Sequence, residues 1–292
     1  MEQTGAERKV YLSRKTSFPI FSCDVGDSWL QLLNLVLRIG AEKSNEGGER
    51  VAEALNAMVT VGLPVIAEDL ETDAAMPEAF PPFLDVDRQD FERHFQGWNG
   101  IDHVETACDL LKGGLAGQSG AVVRLSPSTL SASFDVVDGA LFSSFVIRSI
   151  DVHSDWPLEA MALSRLHGDV ADRLGLEPGA ATFIIHSARL HERDWARTEE
   201  VLAENFRRPL PLQVDHSGVF LFGNDGGQAR AMLLDHDAAT IFWEDAFDTP
   251  EQLSWYIVDT MPWLLPQHIR YVGQECSTLK RAIQERACYE QG

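Results

Sequence analysis

The chain has 292 residues, 45% of them hydrophobic, which is ample to bury a core in one large domain or two small ones. A formal charge of −21 excludes a general nucleic-acid binder, because Lys and Arg neutralising phosphates drive such binding; one small anion in a local basic pocket stays open. No apolar run approaches the ~20 residues of a membrane span. The N-terminal "MEQTGAERKVYL" lacks an apolar signal core. Four cysteines (Cys23, Cys108, Cys276, Cys288) show no metal spacing and read as free thiols, so a cytoplasmic protein is expected.

In chain order, "DSWLQLLNLVLRIG" predicts a helix with Asp27 as N-cap, Trp29, Leu32, Leu33, Val36 and Ile39 on one face, and Gly40 as its end. "RVAEALNAMVTVGLP" is ambiguous between strand and helix. The acidic, Pro-rich "AEDLETDAAMPEAFPPFLDVD" reads as an extended surface connection. Helices are expected over "DRQDFERHFQGW" and "GIDHVETACDLLKGG", the second stopped at Gly113-Gly114.

Three strands follow, "GAVVRLS", "STLSASFDVV" and "ALFSSFVIRSI", the last two joined by an Asp138-Gly139 hairpin turn. Pro157 opens a helix over "LEAMALSRLHGDVADRLG", which Gly175 ends. "AATFIIHSA" reads as a strand and "HERDWARTEEVLAEN" as a helix. "LPLQVDH", "GVFLFGN" and "ARAMLLD" are further strands, with "GNDGG" a hairpin turn rather than a phosphate cradle. "TPEQLSWYIVDTMPWLL" starts with a capping box at Thr249, and "IRYVGQECSTLKRAIQE" is the last helix. The sum is an α+β protein, a mainly antiparallel sheet packed by several long helices.

The stretch "VIRSIDVHSDWPLEAM" ends a strand with Arg148, Ser149 and Asp151 side by side. A guanidinium fork and a hydroxyl suit a tetrahedral oxyanion, and a carboxylate accepts paired N–H donors. Alternatively, Arg148 pairs with one of the 45 acidic residues and ties strand to helix. His186, His191 and Asp194 in "HSARLHERD" lack any known metal spacing, so no metal is expected.

The order of these segments resembles the thymidylate synthase and pyrimidine hydroxymethylase family over most of the chain. "LLNLVLRIGAEKS" looks like its first helix and "NGIDHVETACDLLKGG" like its "NG-x-DQI" helix. "SPSTLSASFDVVDGALFSSFVIRSIDV" is similar to its nucleophile hairpin and Arg-Ser-x-Asp strand, and "PLEAMALSRLHGDVADRLGLEPG" to the helix after it. The resemblance implies a single thymidylate synthase-like domain over 1–292, with 249–292 a helical C-terminal extension. It further implies a homodimer, or a heterodimer with a paralogue, joined through a sheet face. Arg148 and Ser149 would face an anion, with Asp151 and Trp156 on the cofactor, 5,10-methylenetetrahydrofolate.

The departures from the family are as informative. Its nucleophilic cysteine is replaced by Ser128 in "SPST", and a hydroxyl is a poor nucleophile without an adjacent base. Asn45 and Glu46 stand where the phosphate loop supplies an arginine, and Ser119 and Gly120 where paired arginines would cross the interface. Glu159 takes the base-reading position, while His191 in one register, or Arg189 in another, takes the sugar position. The implied function is folate-dependent methyl or hydroxymethyl transfer to a pyrimidine-like or other small substrate, not standard deoxyuridylate methylation. The alternative is a non-catalytic homologue acting as a binding protein or partner subunit.

Overall fold

The computed structural model describes residues 10, 16–22, 24–44, 47–62, 103–113, 121–123, 129–206, 218–235 and 239–291. The protein is α+β and forms two compact units, Met1–Gln213 and Val214–Gly292. Residues 219–247 make a sheet of their own, and the last two helices close a separate core over it. The segments "DRQDFERHFQGW" and "LPLQVDH" lie outside the described residues.

In the first unit, helix α1 (Val25–Ile39) begins three residues earlier than expected. The N-cap is Asp24, whose side chain accepts from Asp27 N. Its Trp29, Leu32, Leu33, Val36 and Leu37 are buried, as the helical spacing required. The ambiguous segment resolves as a strand. The eight-stranded sheet contains β1 (Phe18–Ser22), β2 (Ala41–Ser44), β3 (Arg50–Val61), β4 (Ala121–Val123), β5 (Thr129–Val137), β6 (Ala140–Ile147), β7 (Ile150–Asp151) and β8 (Glu177–His191). Its order is β1-β3-β8-β6-β5-β4, with β2 added on β3 and β7 on β8. The sheet is mixed, since β1–β3, β6–β8 and β7–β8 are parallel and the other pairs antiparallel. Asp138 and Gly139, at φ 50° and 83°, make the β5–β6 turn.

Helices α2 (His103–Lys112), α3 (Trp156–Leu174) and α4 (Trp195–Asn205) join α1 in a core with Phe145, Phe183 and Ile185 of the sheet. Gly175, left-handed at φ 67°, ends α3. A buried strut ties α3 to the sheet. His167 Nε2 donates to Gly179 O (3.0 Å), which fixes the tautomer in which Nδ1 accepts from Ser143 Oγ (2.6 Å). Burial pushes the His167 imidazole below its ordinary range, against the opposing pull of the Gly179 carbonyl.

Two strands change face in step. On β3 the core-facing residues are Ala52 and Ala54, then Ala57, Val59 and Val61; the shift falls at Asn56, left-handed at φ 52°. On β8 they are Ala181, Phe183 and Ile185, then Ala188 and Leu190, with the shift at His186 beside Asn56. The kink leaves Glu53, Ser187, Arg189 and His191 on the face away from the helices. That face also carries Leu55, Met58 and Phe142, which stay 40–43% exposed.

In the second unit, β9 (Val219–Asp225), β10 (Gln228–Leu234) and β11 (Ile241–Phe247) form an antiparallel sheet in the order β11-β10-β9. The β9–β10 turn uses Gly226 and Gly227 at positive φ, the hairpin expected for "GNDGG". Helices α5 (Pro250–Thr260) and α6 (Pro266–Glu285) bury Leu253, Ile257, Val272 and Leu279 against Phe220, Phe222 and Ala231. Thr249 caps α5 by accepting from Gln252 N (3.2 Å). No helix among the described residues is long and apolar enough to cross a membrane.

Candidate functional site

Strands β3, β8 and β7 bring their ends together beyond the kink, with Val51 opposite His191 and Asp151 opposite Arg189. This register joins two residues that are far apart in sequence. His191 Nε2 lies 3.6 Å from Asp151 Oδ2, and His191 Nδ1 lies 3.0 Å from Glu49 Oε2. Arg193, in the 3-10 turn Glu192–Asp194 that follows β8, reaches the same two carboxylates at 3.7 Å (Glu49) and 3.9 Å (Asp151). An imidazole with a carboxylate at each nitrogen can carry a proton on either side. The arrangement therefore suits holding or relaying a proton beside a hydrogen-bond acceptor.

Asp151 is positioned by its own backbone turn. Its Oδ1 accepts from His153 N (2.9 Å) and Ser154 N (3.4 Å), and leaves Oδ2 toward His191 and Arg193. His153 sits edge-on to Trp29 at 6.1 Å, and its buried Nε2 has no hydrogen-bond partner among the described residues.

A second polar group lies alongside. The Glu53 carboxylate, 7% exposed, accepts from Lys43 Nζ, Ser187 Oγ (2.6 Å) and Arg189 Nε (3.4 Å). Burial pushes its pKa up, but the Lys43 and Ser187 hydrogen bonds outweigh this and hold it below the usual carboxylate value. Arg50 is committed to Glu42 (2.7 Å) and Glu192 (2.8 Å) and stacks over Trp195 at 4.9 Å. Arg148, by contrast, is exposed and makes no ion pair among the described residues, with Ser149 half-buried beside it.

Other expected site residues are placed differently. Trp156 is fully buried, donating from Nε1 to Ser28 Oγ (3.2 Å) and standing edge-on to Phe183 at 5.2 Å. It belongs to the core of the first unit. Glu159 is 3% exposed and accepts from Thr129 Oγ1, a bond that braces α3 against β5. Ser128, Asn45, Glu46, Ser119 and Gly120 lie outside the described residues. Among the described residues no group of His, Cys, Asp and Glu could hold a metal ion, and Cys108, Cys276 and Cys288 are free thiols. Sequence reasoning missed Glu49, His153 and Arg193. Arg193 sits within "HSARLHERD", but only the fold shows that it turns back toward Asp151.

The last residues of the chain match a known family, and the chain is also similar to a set of curated proteins. Residues 214–292 match a family described as PterinBD-DUF4346. The chain is also similar to archaeal proteins named "Putative thymidylate synthase". These include one from Methanococcoides burtonii, 26% identical over 199 residues (61% of this chain and 91% of that protein). Another, from Methanothermobacter thermautotrophicus, is 26% identical over 216 residues (61% and 96%). A third, from Methanosarcina mazei, is 24% identical over 199 residues (61% and 92%). The chain is thus distantly similar to proteins named as thymidylate synthases, and its second unit matches the PterinBD-DUF4346 family.

Proposed function

We propose that the first unit performs folate-dependent one-carbon transfer, methyl or hydroxymethyl, to a pyrimidine-like or other small substrate, by a route other than standard deoxyuridylate methylation. The observation that carries this is the meeting of Asp151 and His191 on neighbouring strands, supported by the similarity to thymidylate synthase-like proteins. The label of the family matched by the second unit names pterin binding, which fits a chain that handles a folate.

Part of the cluster fits a pterin. Asp151 Oδ1 is held by the backbone, so a pterin N–H would share Oδ2 with His191 and Arg193, whereas Trp156 is enclosed and offers no stacking face. When bound, methylenetetrahydrofolate supplies the one-carbon unit. Asp151 would orient its pterin edge, His191 would hold or move a proton at Nε2, and Arg148 with Ser149 would receive an anionic group of the substrate. A second reading, a non-catalytic binding protein or partner subunit, is favoured by Ser128 at the nucleophile position and by the enclosure of Glu159.

Purified protein is expected to make no thymidylate from deoxyuridylate and methylenetetrahydrofolate. Offered a panel of other pyrimidines, it is expected to consume the folate's one-carbon unit. Folate binding without turnover on any of them would favour the non-catalytic reading, and deoxyuridylate methylation would overturn the first proposal. The exposed apolar residues on the open sheet face support a two-fold homodimer, or a heterodimer with a paralogue. Light scattering at micromolar concentration checks this, and a monomer there counts against both the interface and the family reading.

A further inference from the structure

We infer that the carboxylates at the meeting strand ends determine specificity: they occupy, as resident anions, the cations that a phosphate would need, so the acceptor of the first unit carries no phosphate and at most one negative charge. That an acceptor binds here at all rests on the one-carbon reading above; the exclusion of phosphate rests on the ion pairs alone. Arg50 opens β3 one residue before Val51, the partner of His191, and its side chain is 47% exposed, within reach of a ligand. Its guanidinium is held from two sides, by Glu42 at 2.7 Å and by Glu192 at 2.8 Å. Glu42 comes from β2, where it stands opposite Ala52, and Glu192 from the turn after β8. Two separate elements therefore close the clamp.

The other cations at this end are committed in the same way. Arg193 lies among Glu49 (3.7 Å), Asp151 (3.9 Å) and Asp194 (3.4 Å). Lys43 and Arg189 share Glu53, whose carboxyl is held below its usual value and so is charged at neutral pH. Among the described residues the carboxylates of this group outnumber its lysine and arginine side chains, and they still do with His191 protonated. A phosphate monoester carries about −1.5 to −2 charge at pH 7 and is bound through several charge-assisted donors at once. Here it would meet like charges, and each fork is already filled by a carboxylate that competes from the same chain. The exception is Arg148, exposed and without an ion pair among the described residues. One fork with the Ser149 hydroxyl suits a single carboxylate or a carbonyl edge. The acceptor class is a nucleoside, a free base or another small molecule of that limited charge.

The test is an NMR-detected titration of the full chain with inorganic phosphate, and with deoxyuridine and deoxyuridylate side by side. The parent is expected to bind deoxyuridylate no more tightly than deoxyuridine. Glu42→Gln with Glu192→Gln keeps the side-chain shapes and releases Arg50. This double variant is expected to bind inorganic phosphate at least tenfold more tightly than the parent, and adding Arg50→Gln should erase the gain. A parent that prefers deoxyuridylate overturns the inference, as does a folded double variant without the gain, or a gain that survives Arg50→Gln. Should the double variant melt abnormally, Glu42→Gln alone leaves Glu192 on Arg50; a smaller gain is expected from it, and no gain overturns the inference. Binding of neither pyrimidine by any of these proteins would count against the one-carbon reading for pyrimidines, and the phosphate titration would still decide the inference by itself.

Discussion

Trp156→Ala is expected to destabilise the first unit by about 3–5 kcal/mol, the usual cost of deleting a large buried aromatic. The indole has no exposed surface, and removing it leaves a cavity against Phe183. The same change also removes the hydrogen bond from Trp156 Nε1 to the Ser28 hydroxyl, which keeps its own bond to Val25 O. Urea denaturation followed by near-UV circular dichroism measures the loss. A variant of nearly unchanged stability with weakened folate binding would return Trp156 to the ligand site.

Glu53→Ala is expected to cost about 2 kcal/mol at neutral pH, from the lost charge-assisted hydrogen bonds and the Ser187 hydroxyl left inside the strand pair. Lys43 and Arg189 are each about half exposed (57% and 48%) and regain water, which keeps the figure below that of a fully buried pair. The contribution depends on pH in a defined direction. The carboxyl is held below its ordinary value, so its stabilisation is present above the unfolded carboxylate range near pH 4–5 and fades as pH falls through the lower folded value. Denaturation at pH 7 and pH 3 should show a gap between parent and variant that closes in acid. A gap that stays constant would mean that packing, not charge, is what the alanine removes.

Local chemistry made much of this fold legible. The spacing of Trp29 to Val36, the Asp138-Gly139 turn, Gly175 and the Thr249 cap each act within a few residues, and each does what its residue type predicts. Strand β11 went unseen because "IFWEDAF" sets an acidic pair in an exposed edge strand and hides the alternation. The division into two units was hidden for a related reason. Nothing in the composition near residue 214 marks a boundary, and only strand pairing shows that β9 to β11 close on themselves.

The site was half legible. Asp151 and His191 were singled out separately, but their meeting depends on the β3–β8 register and on the Asn56 kink, which are long-range facts. The burial of Trp156 and Glu159 was not legible, because a motif gives position along the chain and not depth beneath the surface. Both sit in the first turn of α3 on the side facing the core.

The central claim is that Asp151 belongs to a reduced-folate site, and Asp151→Asn tests it most directly. An asparagine Oδ1 can still accept from His153 and Ser154, so the turn before α3 survives and the melting temperature should change little. What disappears is the carboxylate oxygen beside His191 and Arg193. Reduced-folate affinity, measured by calorimetric titration of parent and variant, is therefore expected to fall at least tenfold, about 1.4 kcal/mol. A large drop in melting temperature with folate binding unaltered, or absent from both proteins, would contradict the account and make the cluster a structural ion network.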